Sequence, residues 1–429
     1  MKSLEQIAAE LQGYDPQALR ADQVLQFLDQ LVQPVEQTEV LPLKSALGRV
    51  LAEDIVSPIN VPAHNNSAMD GYAFDGAALA QATELELRVT GTALAGQAWQ
   101  GECSAGACVK VMTGAIMPSG LDTVVARELV REMGDRVSFP TRLVRPGDNR
   151  RLMGEDLKVG VAALRRGKRL QPASLGLVAS LGMASVTVFR RLRVAFFSTG
   201  DEILSVADAP REGAVYDSNR YTVFGLLTRL GCELQDLGVV GDEPARLEAA
   251  FRAAAANADA VITSGGVSVG EADFTKAMMK KIAGDRGGVA FWRIAMRPGR
   301  PMAVGRIGDE AHQALLFGLP GNPVAVMVTF LAFVRPALLR MMGSSEDAVP
   351  MLKAHCLEAI RKKPGRTEYQ RGVVSHAADG SLQVRTTGNQ GSGVLRSMVE
   401  ANGLIVLHHD QGSLSIGAEV DVMMFEGAI

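Results

Sequence analysis

The hydrophobic and polar positions of this chain change rhythm four times. Near the start, Val24, Phe27, Leu28 and Leu31 fall at i, i+3, i+4 and i+7, one apolar stripe that predicts a packed helix. Residues 58–149 switch to short alternations broken by glycine, such as Leu85-Glu86-Leu87-Arg88-Val89 and Cys108-Val109-Lys110-Val111-Met112. That pattern predicts a small β-rich unit. Residues 150–188 return to mixed character with a helix-like Pro172 to Leu181, so 1–57 and 150–188 read as one discontinuous helical and linker domain interrupted by the β-rich insert.

From 189 to 343 strands and helices alternate. Val194 to Phe197, Leu237 to Val240 and Ala260 to Thr263 read as strands. Tyr221 to Leu230, stopped at Gly231, Pro244 to Ala256 and Phe274 to Ile282 read as helices. Such βαβ units predict a parallel sheet covered on both faces, a three-layer α/β domain that binds ligands at the carboxyl ends of its strands. The apolar stretch Val324 to Val334, bracketed by Pro323 and Pro336, reads as a buried helix far shorter than the roughly 20 residues that span a bilayer. Residues 344–429 alternate again, as in Leu382 to Arg385 and Leu404 to Leu407, and predict a small C-terminal β domain.

Composition narrows the function classes. At 429 residues the chain holds about two to four domains. A formal charge of −3 excludes the overall basic field that holds nucleic acid or an anionic membrane, so any anion site is local. The 45 glycines exceed ordinary usage and point to loops built from backbone. Cys103, Cys108, Cys232 and Cys356 form no CxxC pair and read as reduced thiols. With no export signature, the expected compartment is the cytoplasm.

Four groups of residues carry candidate chemistry. Gly265-Gly266-Val267-Ser268-Val269-Gly270 follows an apolar strand and precedes a helix, so its N–H groups can form a phosphate-sized nest. It matches neither a Walker lysine pattern nor GxGxxG. Carboxylates cluster at three strand ends, as Asp201-Glu202, Asp242-Glu243 and Glu271 with Asp273. Beside a phosphate nest they repel the ligand unless a hard cation such as Mg²⁺ bridges them; an acid just ahead of a helix can equally serve as a cap. Arg297-Pro298-Gly299-Arg300-Pro301 sets two guanidinium groups on a stiff turn suited to an oxyanion. Leu319-Pro320-Gly321-Asn322-Pro323 opens the apolar helix with Asn322 as cap and Pro323 in its first turn. Lys362, Lys363, Arg366 and Arg371 add positive charge further on, which by itself reads as a solvated face. No Ser/His/Asp or Cys/His set, and so no nucleophile, is legible.

Taken in order, Asn66 to Ala73, Met112 to Ala115, Gly154-Glu155-Asp156, Ser198 to Glu202, Tyr216 to Asn219, Ser264 to Asp273, Pro298 to Pro301 and Leu319 to Val324 resemble the motifs of the molybdopterin molybdenumtransferase family, the MoeA and gephyrin E-domain proteins. The resemblance spans nearly the whole chain. It implies Mg²⁺-dependent insertion of molybdate into adenylylated molybdopterin, with release of AMP, by a four-domain homodimer whose cleft is shared between subunits. It also implies contact with the preceding adenylyltransferase and with molybdoenzyme chaperones, and no nucleic acid or membrane partner.

Carried over residue by residue, the resemblance assigns catalysis to Asp70 and Thr113 of the insert with Glu202, Asp242 and Asp273, the metal to Asp242 and Glu202, and molybdate to Arg297, Arg300, Pro301, Arg366 and Ser392. Gly265, Gly266, Ser268, Gly270, Asp217, Asn219, Pro298, Gly299, Pro320 and Asn322 would hold the pterin nucleotide. The family usually has lysines where this chain has Arg297 and Arg300, and often serine where it has Ala325. The absence of a nucleophile agrees with a reaction that needs charge neutralisation and positioning of two anions. Two other readings are a related adenylyltransferase, disfavoured by the insert and the C-terminal domain, and a non-catalytic scaffold, disfavoured by the intact acidic set.

Overall fold

The computed structural model describes residues 2–267, 273–283, 288–309, 312–346 and 348–428. Its centre is a six-stranded sheet in the order Glu233–Val240, Arg193–Thr199, Ala260–Ser264, Gln313–Leu319, Pro301–Gly308 and Gly288–Arg293. The strand side-chain period of two builds the layers. Val194 and Phe196 enter one core with Val223 and Leu227 of the helix Ser218–Leu230 and with residues of the long helix 323–341. Ala195 and Phe197 point the other way, against Leu247 and Phe251 of Pro244–Asn257 and Met279 of Asp273–Ala283. Being buried on both faces, these strands are continuous apolar runs.

The sheet is mixed, where the βαβ rhythm predicts a parallel one. The first four strands in the order above run parallel, but Pro301–Gly308 pairs antiparallel with both Gln313–Leu319 and Gly288–Arg293. Residues 309–312 are too few for a crossover, so the chain returns directly beside the strand it has left.

The apolar helix also departs from its expected bounds. It runs from Pro323–Thr329 through a π-helical turn, Phe330–Val334, into Arg335–Met341, so Pro336 lies within it. The wider turn shifts the hydrogen-bond register just where the proline ring removes a donor and crowds the preceding turn. Among the described residues this is the one helix long and apolar enough to cross a membrane by length and composition, and 83% of it is buried inside the protein.

The helix Ala21–Leu31 lays its predicted stripe on the same core: Phe27 meets Trp292 edge-on at 4.9 Å. Antiparallel pairing of Thr38–Pro42 with Ser185–Phe189, and of Ile55–Val56 with Ala162–Leu164, joins the chain on either side of the insert. The insert holds its own six-stranded sheet with Tyr72, Phe74, Val125 and Phe139 inside. At the C-terminus Thr367–His376 pairs with both Leu382–Thr386 and Gly403–Leu407, and with Met351–Cys356 and Glu419–Met424 this closes a ring of strands. The short strand Met296–Arg297 joins that ring by parallel pairing with Thr367–Glu368.

Candidate functional site

A cavity of about 700 Å³ opens where the carboxyl ends of the central strands face the C-terminal ring. Gly265 and Gly266 leave the strand Ala260–Ser264 at φ +93° and +68°, and a Cβ on Gly265 would lie 2.5 Å from the Thr199 carbonyl oxygen. Only glycine fits there, and Gly265 donates to Leu319 O at 3.1 Å, which binds the loop to the neighbouring strand end. Ser268, Gly270 and Glu271 lie outside the described residues, as does the side chain of Asp273, the first residue of its helix.

The arginine turn forms the facing wall. Ile294 donates to Arg300 O at 2.7 Å, closing the turn, and Gly299 stands at φ +93° with its Cα packed against the long helix, where a Cβ would meet Thr329 Oγ1 at 2.4 Å. Arg297, Pro298, Gly299, Arg300 and Pro301 all line the cavity. Among the described residues neither Arg297 nor Arg300 makes an ion pair. Arg366, from the C-terminal domain, lines the same space while its guanidinium pairs with Glu368 at 2.8 Å. Ser392 joins them: its carbonyl accepts from Val324 N at 3.1 Å and so satisfies an N–H of the long helix's first turn. Pro320 and Asn322 complete that wall, and Asn322, although the N-cap residue, makes no side-chain capping bond.

Glu202 lies in the cavity, and Asp242 does not line it. Asp242 is nevertheless tied to the same corner, since its N–H donates to Asp201 Oδ1 at 3.0 Å. Burial pushes the Asp242 carboxyl above the ordinary carboxylate range, with the charges of Asp201 and then Glu202 acting in the same direction. It is not a helix cap: Glu243 occupies the N-cap of Pro244–Asn257, without a side-chain bond. Among the described residues no cluster of three acidic, histidine or cysteine side chains forms a ready-made metal cage. The crowded hard-oxygen donors still fit a dication that keeps water and substrate oxygens as its other ligands, as Mg²⁺ does.

Two groups of expected residues lie elsewhere. Asp217 caps Ser218–Leu230 by accepting from Arg220 N at 3.1 Å, and Asn219 donates to Gly321 O at 2.7 Å. Asn219 thereby braces the Pro320-Gly321-Asn322 turn, and neither residue lines the cavity. Asp70 and Thr113 sit on the insert, where Thr113 donates both its N–H and its hydroxyl to Asp70 Oδ1 at 2.7 Å. The backbone bond, then the hydroxyl bond, hold the Asp70 carboxyl below the usual range, and the Arg127 charge adds to them. This pair does not line the cavity of its own chain.

The structure also brings in Gln17, Ala18 and Gln390, for which the local sequence gives no signal. Gln17 and Ala18 belong to a segment stitched to the central domain: Arg293 donates to Pro16 O at 2.7 Å and Ala295 to Leu19 O at 2.8 Å. Gln390 accepts from Arg371 N at 2.8 Å through its side chain.

Three family profiles match the chain: the MoeA N-terminal region (domain I and II) over residues 19–182, a probable molybdopterin binding domain over 195–340, and the MoeA C-terminal region (domain IV) over 353–425. A molybdopterin molybdenumtransferase of Haemophilus influenzae is 43% identical over 399 residues, which cover 93% of this chain and 96% of that protein. One from a Nostoc species is 34% identical, covering 90% and 89%. Among solved structures, a molybdopterin biosynthesis MoeA protein from Pyrococcus horikoshii OT3 superposes with a TM-score of 0.80 at 28% identity, covering 95% of this chain and all of that one.

Proposed function

The chain belongs to the molybdopterin molybdenumtransferase family, the MoeA enzymes of molybdenum cofactor biosynthesis, and we propose that its main cleft is where molybdate joins adenylylated molybdopterin and AMP is released. The observation that carries this reading is the cavity itself, with two arginines that have no carboxylate partner among the described residues on one wall and a bare glycine turn at a strand's carboxyl end on the other.

Molybdate sits against Arg297 and Arg300, whose planar donors match a tetrahedral oxyanion, with Arg366 and Ser392 beside them on the same wall. The pterin nucleotide lies along Gly265, Gly266, Pro320 and Asn322, where exposed backbone and an uncommitted side-chain amide face the space. Holding both anions in one place supplies the positioning that the reaction requires in place of a protein nucleophile. Asp242 and Glu202 are the residues that would hold Mg²⁺, which would supply charge neutralisation at the phosphoanhydride.

Asp70 and Thr113 then act from a second copy of the chain. They are bonded to each other on the surface of the insert and do not line their own cleft, which suits a homodimer with shared sites. Exposed Tyr221 and Phe224 on one helix, each 51% accessible, and Val40, 67% accessible, supply apolar surface for such an interface.

The test is AMP release from adenylylated molybdopterin, with and without molybdate. Molybdate-stimulated release, cut at least about 100-fold by Asp242→Asn at unchanged melting temperature, is the expected outcome, because asparagine keeps the local hydrogen-bonding shape and loses the charge. No release by the wild-type chain would favour a scaffold, and full activity in the variant would remove Asp242 from the site.

A further inference from the structure

Behind the arginine turn lies a second cavity, of about 500 Å³, that shares Arg297, Pro298, Arg366 and Gln390 with the main cleft. Its other charged lining is Arg361, Lys362, Lys363, Arg371 and Glu368. Six cations thus face one carboxylate, and that carboxylate is already bound to Arg366.

Two of the cations are buried without an ion pair among the described residues. Arg371 is 0% accessible and donates to Ser397 Oγ at 3.0 Å, Gly391 O at 2.9 Å and Asn389 O at 3.2 Å, all neutral acceptors. Lys362 is 5% accessible and donates to the carbonyls of Gln411, His409 and Lys363 at 2.7, 3.2 and 3.4 Å. Burial, then the nearby charge of Arg297, depresses Arg371 to about 10, and burial also lowers Lys362. A solvated surface has no need to hold cations this way. Sequestering a guanidinium from water without a counter-charge is unfavourable, and the cost falls when an anion enters beside it.

We propose that this second cavity is an oxyanion subsite, distinct from the molybdate position in the main cleft and joined to it through Arg297 and Arg366. The ligand class is a tetrahedral oxyanion, either free molybdate or a phosphoryl group. Because the two cavities share two arginines, an ion in one is passed a short way along the same guanidinium wall to reach the other. The assignment of the first anion to the main cleft rests on the proposed function; the second subsite rests on its own lining.

Equilibrium dialysis of the full chain at fixed low ionic strength, with molybdate alone and with inorganic phosphate alone, tests it. Arg361 and Lys363 are exposed, so the double variant R361E/K363E retains the buried scaffold. The wild-type chain should take up two oxyanions, R361E/K363E should weaken the second at least tenfold while keeping the first, and Arg300→Ala should do the reverse. Phosphate in the second subsite with molybdate excluded identifies a phosphoryl pocket, and molybdate there identifies a substrate reserve; either supports the subsite. One oxyanion per wild-type chain with both probes, or a second that is indifferent to R361E/K363E, overturns it. A chain that binds two oxyanions in this pattern yet releases no AMP would overturn the proposed reaction and leave the subsite standing.

Discussion

The insert and the arginine turn handle charge in opposite ways. Asp70 is held by two donors from Thr113, both on Oδ1, so one oxygen of its carboxylate is engaged before anything binds. Arg297 and Arg300 have no ion pair among the described residues and stand on a turn whose backbone is pinned at Gly299 and by the Ile294 to Arg300 bond. One region has a charge fixed in place by its own chain; the other has fixed backbone and charge left over. On the proposed reading, the difference separates a part that completes the cleft of a second copy from a part that waits for a ligand.

The strongest way to break that contrast is to mix inactive chains. Asp70→Ala and Asp242→Ala homodimers should each lose nearly all AMP release, and co-refolded mixtures should regain roughly a quarter of wild-type turnover, since about half the dimers are mixed and each holds one intact cleft. Mixed dimers without activity would return Asp70 to the cleft of its own chain or to the surface. Next in size is Arg300→Ala, which removes a charge-assisted contact worth about 1.5–3 kcal/mol and should raise the molybdate concentration for half-maximal AMP release by roughly 10- to 100-fold. Arg300→Lys should stay within a few-fold. An unchanged molybdate requirement in the alanine variant would put the oxyanion elsewhere.

The pinned backbone gives a smaller effect. Gly299→Ala forces an L side chain to φ +93° and against Thr329 Oγ1, and should cost about 1–3 kcal/mol, read as a lower midpoint in urea. A midpoint equal to wild type would mean the turn relaxes freely. Smallest of all is Thr113→Val. The backbone donor remains and the hydroxyl is lost, so the Asp70 carboxyl should move part of the way back up toward its ordinary value in an NMR titration. Stability that this depressed carboxyl contributes is present at neutral pH and is lost as pH falls through its folded value; the variant should therefore lose it at slightly higher pH. A titration identical to wild type would show the backbone bond to be sufficient.

Much of this molecule was legible because local chemistry and ordered motifs agree. Val24, Phe27, Leu28 and Leu31 are all buried on one helix, and Gly231 ends its helix at φ +85°. Gly265, Arg297, Arg300, Arg366 and Ser392, separated by up to 127 positions in sequence, line one cavity; the family resemblance grouped them, whereas local chemistry alone pointed only to Gly265, Arg297 and Arg300. What escaped depends on distant contacts. Gln17 and Ala18 reach the cleft because Pro16 and Leu19 accept bonds from Arg293 and Ala295, a match invisible in either segment alone. Pro336 misleads because the π turn that accommodates it has no sequence mark of its own. Asp217 and Asn219 lie off the cavity lining, one capping a helix and the other holding the Gly321 carbonyl, while Asp217 Oδ2 and Asn219 Oδ1 are buried without a partner among the described residues. Lys362 and Arg371 read as solvated charge, although the fold buries both.

Met296 and Arg297 are built into the C-terminal ring, whereas Pro301, four residues on, begins a strand of the central sheet. The arginine turn is therefore also the seam between two domains. This restricts how the protein can be recombined: exchanging its last 86 residues, 344–429, for those of a relative would replace Thr367 and Glu368, the pairing partners of that strand, and so re-aim Arg297 without touching a residue of the turn. Chimeras cut at the domain boundary would inherit neither parent's oxyanion preference, and modular exchange would keep its meaning only when the turn and the ring travel together.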